Sequence, residues 1–284
     1  MNNNEKEYDT LVLSGGGIKG FYLLGAIQAL MDFKKILKIN TFIGTSIGSI
    51  ICYLLIIGYT PIEIVVSLYQ NKWLEKLSHF NIVTLTDGFG AVSFTMINEA
   101  LENLTISKIG KLLTLQQLQD MFHKKLICVT YNMTICTTEY ISCETYPEMP
   151  CLIALRMSSN IPIIFEKFQY MDCFYVDGGI SENFPIIKGE EIGSNVLGLL
   201  LDSNEKDFKY ESKDGIVNYL TKLLQIPMTQ LLKNQLSRVS SKSTIIKIQT
   251  NLSKNPIDFN VDSKLKLEMF SEGYTSVKFF FNFS

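Results

Sequence analysis

Between Lys38 and Glu63 the chain runs for 24 residues without a charge. A helix of that length could cross a bilayer, and Gly44 and Gly48 carry the GxxxG spacing with which membrane helices pair. The composition of the run favours another reading. Asn40, Thr41, Thr45, Ser46 and Ser49 crowd its first half, and Pro61 closes it. A short strand at Thr41–Ile43, a glycine turn and a buried helix from Ile47 to Gly58 account for the same letters.

The alternation recurs along the chain. Asp9–Leu13 reads as a short apolar strand, and Gly20–Met31 as an apolar helix entered through a glycine loop. Thr114 caps a helix that runs to about Lys124, and strands follow at Leu126–Tyr131 and Thr138–Cys143. Phe174–Val176, Val196–Leu201 and Ile245–Ile248 read as further strands. Gly215–Leu236, kinked at Pro227, reads as an amphipathic helix and Ser263–Phe281 as a closing one. Strands alternating with helices predict an α/β fold with a mainly parallel sheet covered on both faces. No repeat, linker or low-complexity tract divides residues 1–284. A single domain is therefore expected, with 46% hydrophobic residues to fill its core.

The charges nearly cancel, 26 Lys and Arg against 28 Asp and Glu, and the basic residues form no long run. Nucleic acid is not expected as a partner. Six cysteines show no CxxC pair and no histidine at ligand spacing, so they read as reduced thiols of a cytoplasmic protein without a bound metal. The polar start, Met1 to Tyr8, lacks the apolar stretch of a secretory signal.

Three glycine-bearing turns carry the chemistry. In the first, Ser14-Gly15-Gly16-Gly17-Ile18-Lys19-Gly20, the glycines fit GxGxxG, but no acidic residue stands at the end of the second strand to hold a ribose, and no Gly-Lys-Ser/Thr makes a phosphate loop. A nest of backbone N–H groups at a helix N-terminus remains, suited to stabilising an oxyanion, or else a plain tight turn. The second, Gly44-Thr45-Ser46-Ile47-Gly48, is a GxSxG between strand and helix, where a sharp turn pushes the serine outward. The third, Asp177-Gly178-Gly179, ends a short strand in a surface turn or in a general base for Ser46.

Histidine is scarce: His79 and His123 are the two in the chain, and both read as surface or boundary residues. Neither follows Asp177, so the Ser–Asp–His chain order of α/β-hydrolases cannot be built. A serine–aspartate dyad needs no imidazole, but its weaker base calls for partial burial to raise its pKa.

Together the motifs resemble the patatin-like phospholipase family, in order and over roughly residues 8–200: Gly-Gly-Gly-x-Lys-Gly at 15–20, Gly-x-Ser-x-Gly at 44–48 and Asp-Gly-Gly at 177–179. Ser158-x-x-x-Pro162-x-x-Phe165 and Asn183-Phe184-Pro185 are similar to further family stretches. The resemblance implies a three-layer α/β/α fold and a lipid acyl hydrolase that needs no metal or cofactor. It implies Ser46 as nucleophile, Asp177 as base and an oxyanion hole from the N–H groups of Gly15, Gly16 and Gly17, with Ile47 as a further donor. Lys19 would hold the loop, and Gly20, Gly44, Gly48, Gly178 and Gly179 would support the turns. The expected partner is a phospholipid, lysophospholipid or other acyl lipid, met in transient contact with a membrane surface. Phe89, Phe94 and the Leu223–Leu232 helix could face that lipid or lie in the core. The alternative is a catalytically silent lipid- or partner-binding module on the same fold.

Overall fold

The computed structural model describes residues 6–70, 93–203, 216–250 and 261–283. His79 and Phe89 lie outside the described residues.

The uncharged run folds as its composition suggests. Strand β2 (Thr41–Thr45) breaks at Ser46 into helix α2 (Ile47–Ile56), and the chain then turns by 115° into α3 (Pro61–Gln70). No single described helix is long and apolar enough to cross a membrane. Before it come β1 (Thr10–Leu13), a short 3-10 turn at Gly17–Lys19, and α1 (Gly20–Asp32). After it come α4 (Thr95–Ile109), α5 (Leu115–Phe122), β3 (Lys125–Asn132), β4 (Thr137–Ile141) and α6 (Cys151–Ser158). The hairpin β5 (Phe168–Tyr170) and β6 (Cys173–Asp177) leads into the short α7 (Gly179–Glu182) and α8 (Ile186–Ile192). The last third supplies β7 (Val196–Ser203), α9 (Ile216–Leu236), β8 (Ser243–Thr250) and α10 (Ser263–Phe281).

All eight described strands join one sheet in the order β5-β6-β3-β2-β1-β7-β8, with β4 on the far side of β3. The pairs among β1, β2, β3, β7 and β8 are parallel, whereas β4, β5 and β6 run antiparallel. Successive strand residues face opposite layers. Leu11, Leu13, Phe42, Leu126 and Cys128 enter the larger core with α1 to α4, α6 and α10, while Val12, Ile43, Ile127 and Val129 meet α8 and α9 on the other face. The result is three layers, as burial on both faces of a parallel sheet requires.

Strand and helix ends differ from the periodicity reading by two residues at most. The helix predicted to reach Lys124 stops at Phe122 because His123 takes a left-handed conformation (φ 52°). Pro227 lies inside an unbroken α9. Phe94 is buried, packed edge-on against Phe165 at a centroid distance of 5.0 Å. Leu223 and Leu231 remain exposed on α9.

Candidate active site

The sheet register brings Ser46 and Asp177 together across 131 positions of sequence. β2 runs along β3 until Thr45 faces Val129, then leaves the sheet at Ser46. β6 occupies the same side of β3 from the opposite direction and ends with Asp177 facing Thr130. Two strands thus meet head-on over neighbouring residues of one support strand, with the Ser46 turn ending one and the carboxylate ending the other.

Ser46 sits at φ 56°, ψ −127°, a conformation that costs a side-chain-bearing residue on the order of 1–3 kcal/mol. Packing imposes it. A Cβ on Gly44 would strike the backbone of Gly48 and Ser49, and one on Gly48 would lie 2.7 Å from the Leu13 carbonyl oxygen. Only glycines allow strand and helix to approach so closely around the serine. The Ser46 N–H donates to Ser158 Oγ at 3.0 Å, which fixes the turn from α6.

Asp177 is held as firmly. Its N–H donates to the Asn160 carbonyl at 2.9 Å, and Asn160 Nδ2 donates to the Tyr175 carbonyl at 2.8 Å. Thr130 Oγ1 bridges the Met157 and Val176 carbonyls at 3.0 and 2.9 Å, tying α6 to β6. A Cβ on Gly178 would collide with the Val129 carbonyl, so the backbone beyond the aspartate lies flat against β3. Burial pushes the carboxyl up to about 6 from its ordinary 3.8, against the pull of hydrogen bonding from the Ser46 hydroxyl and the Gly179 N–H. Oδ1 accepts that N–H at 2.7 Å, whereas the buried Oδ2 has no hydrogen bond of standard geometry. The Ser46 hydroxyl is still near enough to act on the carboxyl.

The glycine loop separates its donors. The Gly15 N–H is committed to the Asn183 carbonyl at 3.0 Å, so it is unavailable to an oxyanion; the expectation for Gly15 is corrected here. Gly15 instead lies against the nucleophile turn, where an added Cβ would approach Ser46 Cβ to 3.3 Å. Among the described residues, no carbonyl or side chain takes the N–H of Gly16, Gly17 or Ile47. Lys19 is buried and its Nζ donates to Thr250 Oγ1 at 3.1 Å, pinning the loop to the end of β8. Gly20 gives way to Ile47, whose Cγ1 would stand 2.6 Å from a Cβ there. Gly179 leaves room for Asp177 Oδ1, 2.9 Å from the place a Cβ would take.

Ser46 opens into a cleft of about 840 Å3, counted out to its mouth. Its walls come from α1 to α4 and from the segment after α6, including Phe21, Leu24, Ile50, Leu54, Phe94, Leu101 and Phe165. Ser46 and Ser159 are the two residues with polar side chains in that lining; the other members are apolar side chains and glycines. A serine hydroxyl at a strained turn thus opens into a hydrocarbon slot, with the buried Asp177 carboxyl beside it.

Residues 11–188 match the sequence profile described as patatin-like phospholipase. An uncharacterized protein of Acanthamoeba polyphaga mimivirus is 30% identical over 97% of this chain and 94% of its own length. The chain belongs to the patatin-like phospholipase family. A probable lipid hydrolase of Invertebrate iridescent virus 6 is 43% identical over 64% of this chain; the match spans 63% of that relative's length. Among solved structures, VipD from Legionella pneumophila superposes with a TM-score of 0.58 at 18% identity, covering 98% of this chain and 67% of that one. The type III effector ExoU of Pseudomonas aeruginosa gives 0.54 at 14% identity, covering 98% of this chain and 53% of that one. At such identities the two structures show a shared fold.

Membership in the patatin-like family places the chain among hydrolases and gives the secondary motifs a physical meaning. Ser158 holds the nucleophile turn, Asn160 holds the aspartate, and the Asn183 carbonyl holds the glycine loop. Their sequence signal was a spacing without a role, since each acts through a bond to a residue more than a dozen positions away.

Proposed function

We propose that the protein hydrolyses fatty-acyl esters, with a glycerophospholipid or lysophospholipid as substrate, by a Ser46–Asp177 dyad. The observation that carries this reading is the convergence of Ser46 and Asp177 at facing strand ends, with Ser46 opening into an apolar cleft. Asp177 takes the proton of the Ser46 hydroxyl as Oγ attacks the ester carbonyl carbon. The oxyanion forms beside the N–H groups of Gly16 and Gly17, with that of Ile47 as a further donor, at the positive end of α2. Collapse breaks the acyl–oxygen bond, and the proton on Asp177 passes to the departing alkoxide. Water then attacks the acyl-enzyme, giving its proton to Asp177, and the fatty acid leaves as Ser46 recovers a proton. The cleft holds the acyl chain throughout and excludes bulk water from it. A fluorophosphonate probe tests the assignment: labelling of the wild-type chain, lost in Ser46→Ala and strongly slowed in Asp177→Asn, is expected. Equal labelling of all three would refute it and favour a silent binding module.

A further inference from the structure

The hairpins around the aspartate strand carry apolar side chains that neither core nor cleft uses. β3 outruns β2 and turns back into β4 through Met133–Cys136, while β5 turns into β6 through Met171 and Asp172. Both turns project from the sheet edge at which β2 ends in Ser46, reaching roughly 10–20 Å beyond Asp177 at about 3.3 Å per residue. At their tips Met133, Ile135, Met171 and Phe174 are 53%, 61%, 73% and 43% exposed. The tips are stitched together: the Met133 N–H donates to the Phe174 carbonyl at 2.8 Å, and the Phe174 N–H to Thr134 Oγ1 at 2.9 Å.

We propose that these paired tips dock onto a lipid bilayer, the phase from which Ser46 draws its substrate; the proposal rests on the lipid-hydrolase reading above. Three observations favour lipid over a protein partner. First, the turns satisfy part of their own polar backbone. Asn132 Oδ1 accepts the N–H groups of Thr134 and Ile135 at 3.0 and 3.3 Å, and Gln169 Nε2 donates to the Met171 carbonyl at 3.0 Å. Hydrocarbon offers no hydrogen-bond partners, so a segment dipping into it must bring its own. Second, narrow turns tipped with Met and Ile suit a fluid that closes around them, whereas a protein interface needs a broad matching face. Third, one stretch of chain joins cleft to tip: Ile161 and Phe165 line the cleft, β5 follows, and Met171 ends it. Asp172 is the single charge in the two turns, so anionic head groups gain nothing from them. Docking should therefore draw on apolar insertion into a neutral or zwitterionic surface and resist salt.

Flotation with phosphatidylcholine vesicles at low and high salt tests this. The wild-type chain should float at both. Ile135→Asp combined with Met171→Asp should partition at least roughly tenfold more weakly, with the same melting temperature and the same hydrolysis of soluble p-nitrophenyl butyrate. As a measurement free of charge insertion, a polarity-sensitive dye on the exposed Cys136 thiol, in a Cys173→Ser background, should brighten on vesicles. Any of four results overturns the proposal: no flotation of the wild-type chain, equal flotation of the double variant, binding that needs anionic lipid and vanishes in salt, or loss of a self-associated dimer in place of vesicle binding. Flotation that depends on the tips, by a chain that cleaves no ester, would support the docking surface and sink the hydrolase reading alone.

Discussion

In the proposed reaction Asp177 has to be ionised to accept a proton, yet it is buried where ionisation is costly. With its carboxyl raised by burial to about 6 from 3.8, the group weakens the fold by on the order of 3 kcal/mol once fully ionised. The sign follows from proton binding. Between pH 4 and 6 the folded chain holds more protons at this site than the unfolded one, so stability falls as pH rises through that window. Below about pH 4 both states are protonated and the cost disappears. Catalysis runs the other way, because the base must be charged. Acyl hydrolysis should rise through a single ionisation near pH 6 and level off above it, in a pH–rate profile of kcat/KM. Asp177→Asn should lower activity roughly a thousandfold or more while raising denaturant stability at pH 8 by about 2–3 kcal/mol. That gain should vanish at pH 4. An unchanged or lowered stability of the variant at pH 8 would show that the carboxylate is better solvated than its burial indicates.

At the scale of elements, the last third of the chain acts as a buttress for the glycine loop. α10 packs along α1 through glycines on both sides. A Cβ on Gly25 would collide with the Phe270 carbonyl, and one on Gly273 with the Tyr22 carbonyl. The clash is with backbone, which cannot swing away as a side-chain tip can. Gly273→Ala should therefore cost roughly 3 kcal/mol, at the upper end of overpacking, read as a lower urea midpoint with the slope unchanged. Since α1 begins at the loop that offers the Gly16 and Gly17 N–H groups, kcat should fall more than KM changes. This contact was not legible in the sequence. The α10 limits were, because a helix with a long amphipathic period shows itself locally, and so was the Thr114 cap, whose hydroxyl accepts the Gln117 N–H at 3.2 Å. The three reactive turns could be read for a related reason: a backbone forced close to another backbone leaves glycine in the sequence. What stayed hidden depends on pairing between distant segments. Pro61 read as the close of the uncharged run and instead opens α3. α6 begins after Pro150 without a side-chain cap and is a short apolar run that periodicity cannot tell from a strand. The commitment of the Gly15 N–H to Asn183, 168 positions away, has no local trace at all.

The whole molecule sets the length of the slot that, in the proposed reaction, the acyl chain fills. Its floor and walls come from α1, α2, α3 and α4, and the polar end from the turns after β1 and β2 together with the segment after α6, so no single element defines it. α2 supplies a natural ruler, because it starts at Ser46 and runs along the cleft. Ser46, Ile47, Ile50, Ile51 and Leu54 all line the slot, at the spacing of one helical face. Leu54 stands eight positions beyond Ser46, about 12 Å further along the helix axis at 1.5 Å per residue. A short acyl group ends before that point, whereas a membrane fatty acid extends past it. Leu54 is buried, so Leu54→Trp should cost about 1–3 kcal/mol of stability, a lower melting temperature with the fold retained. It should also leave hydrolysis of p-nitrophenyl butyrate within about twofold, because one added aromatic ring far from Ser46 touches no reacting atom. Against p-nitrophenyl palmitate it should lower kcat/KM by at least roughly tenfold, the equivalent of losing two buried methylenes or more from the cleft. The ratio of the two rates is the quantity to measure, since a general loss of folded enzyme cancels from it. An unchanged ratio would mean that the acyl chain leaves Ser46 by another route than the face of α2.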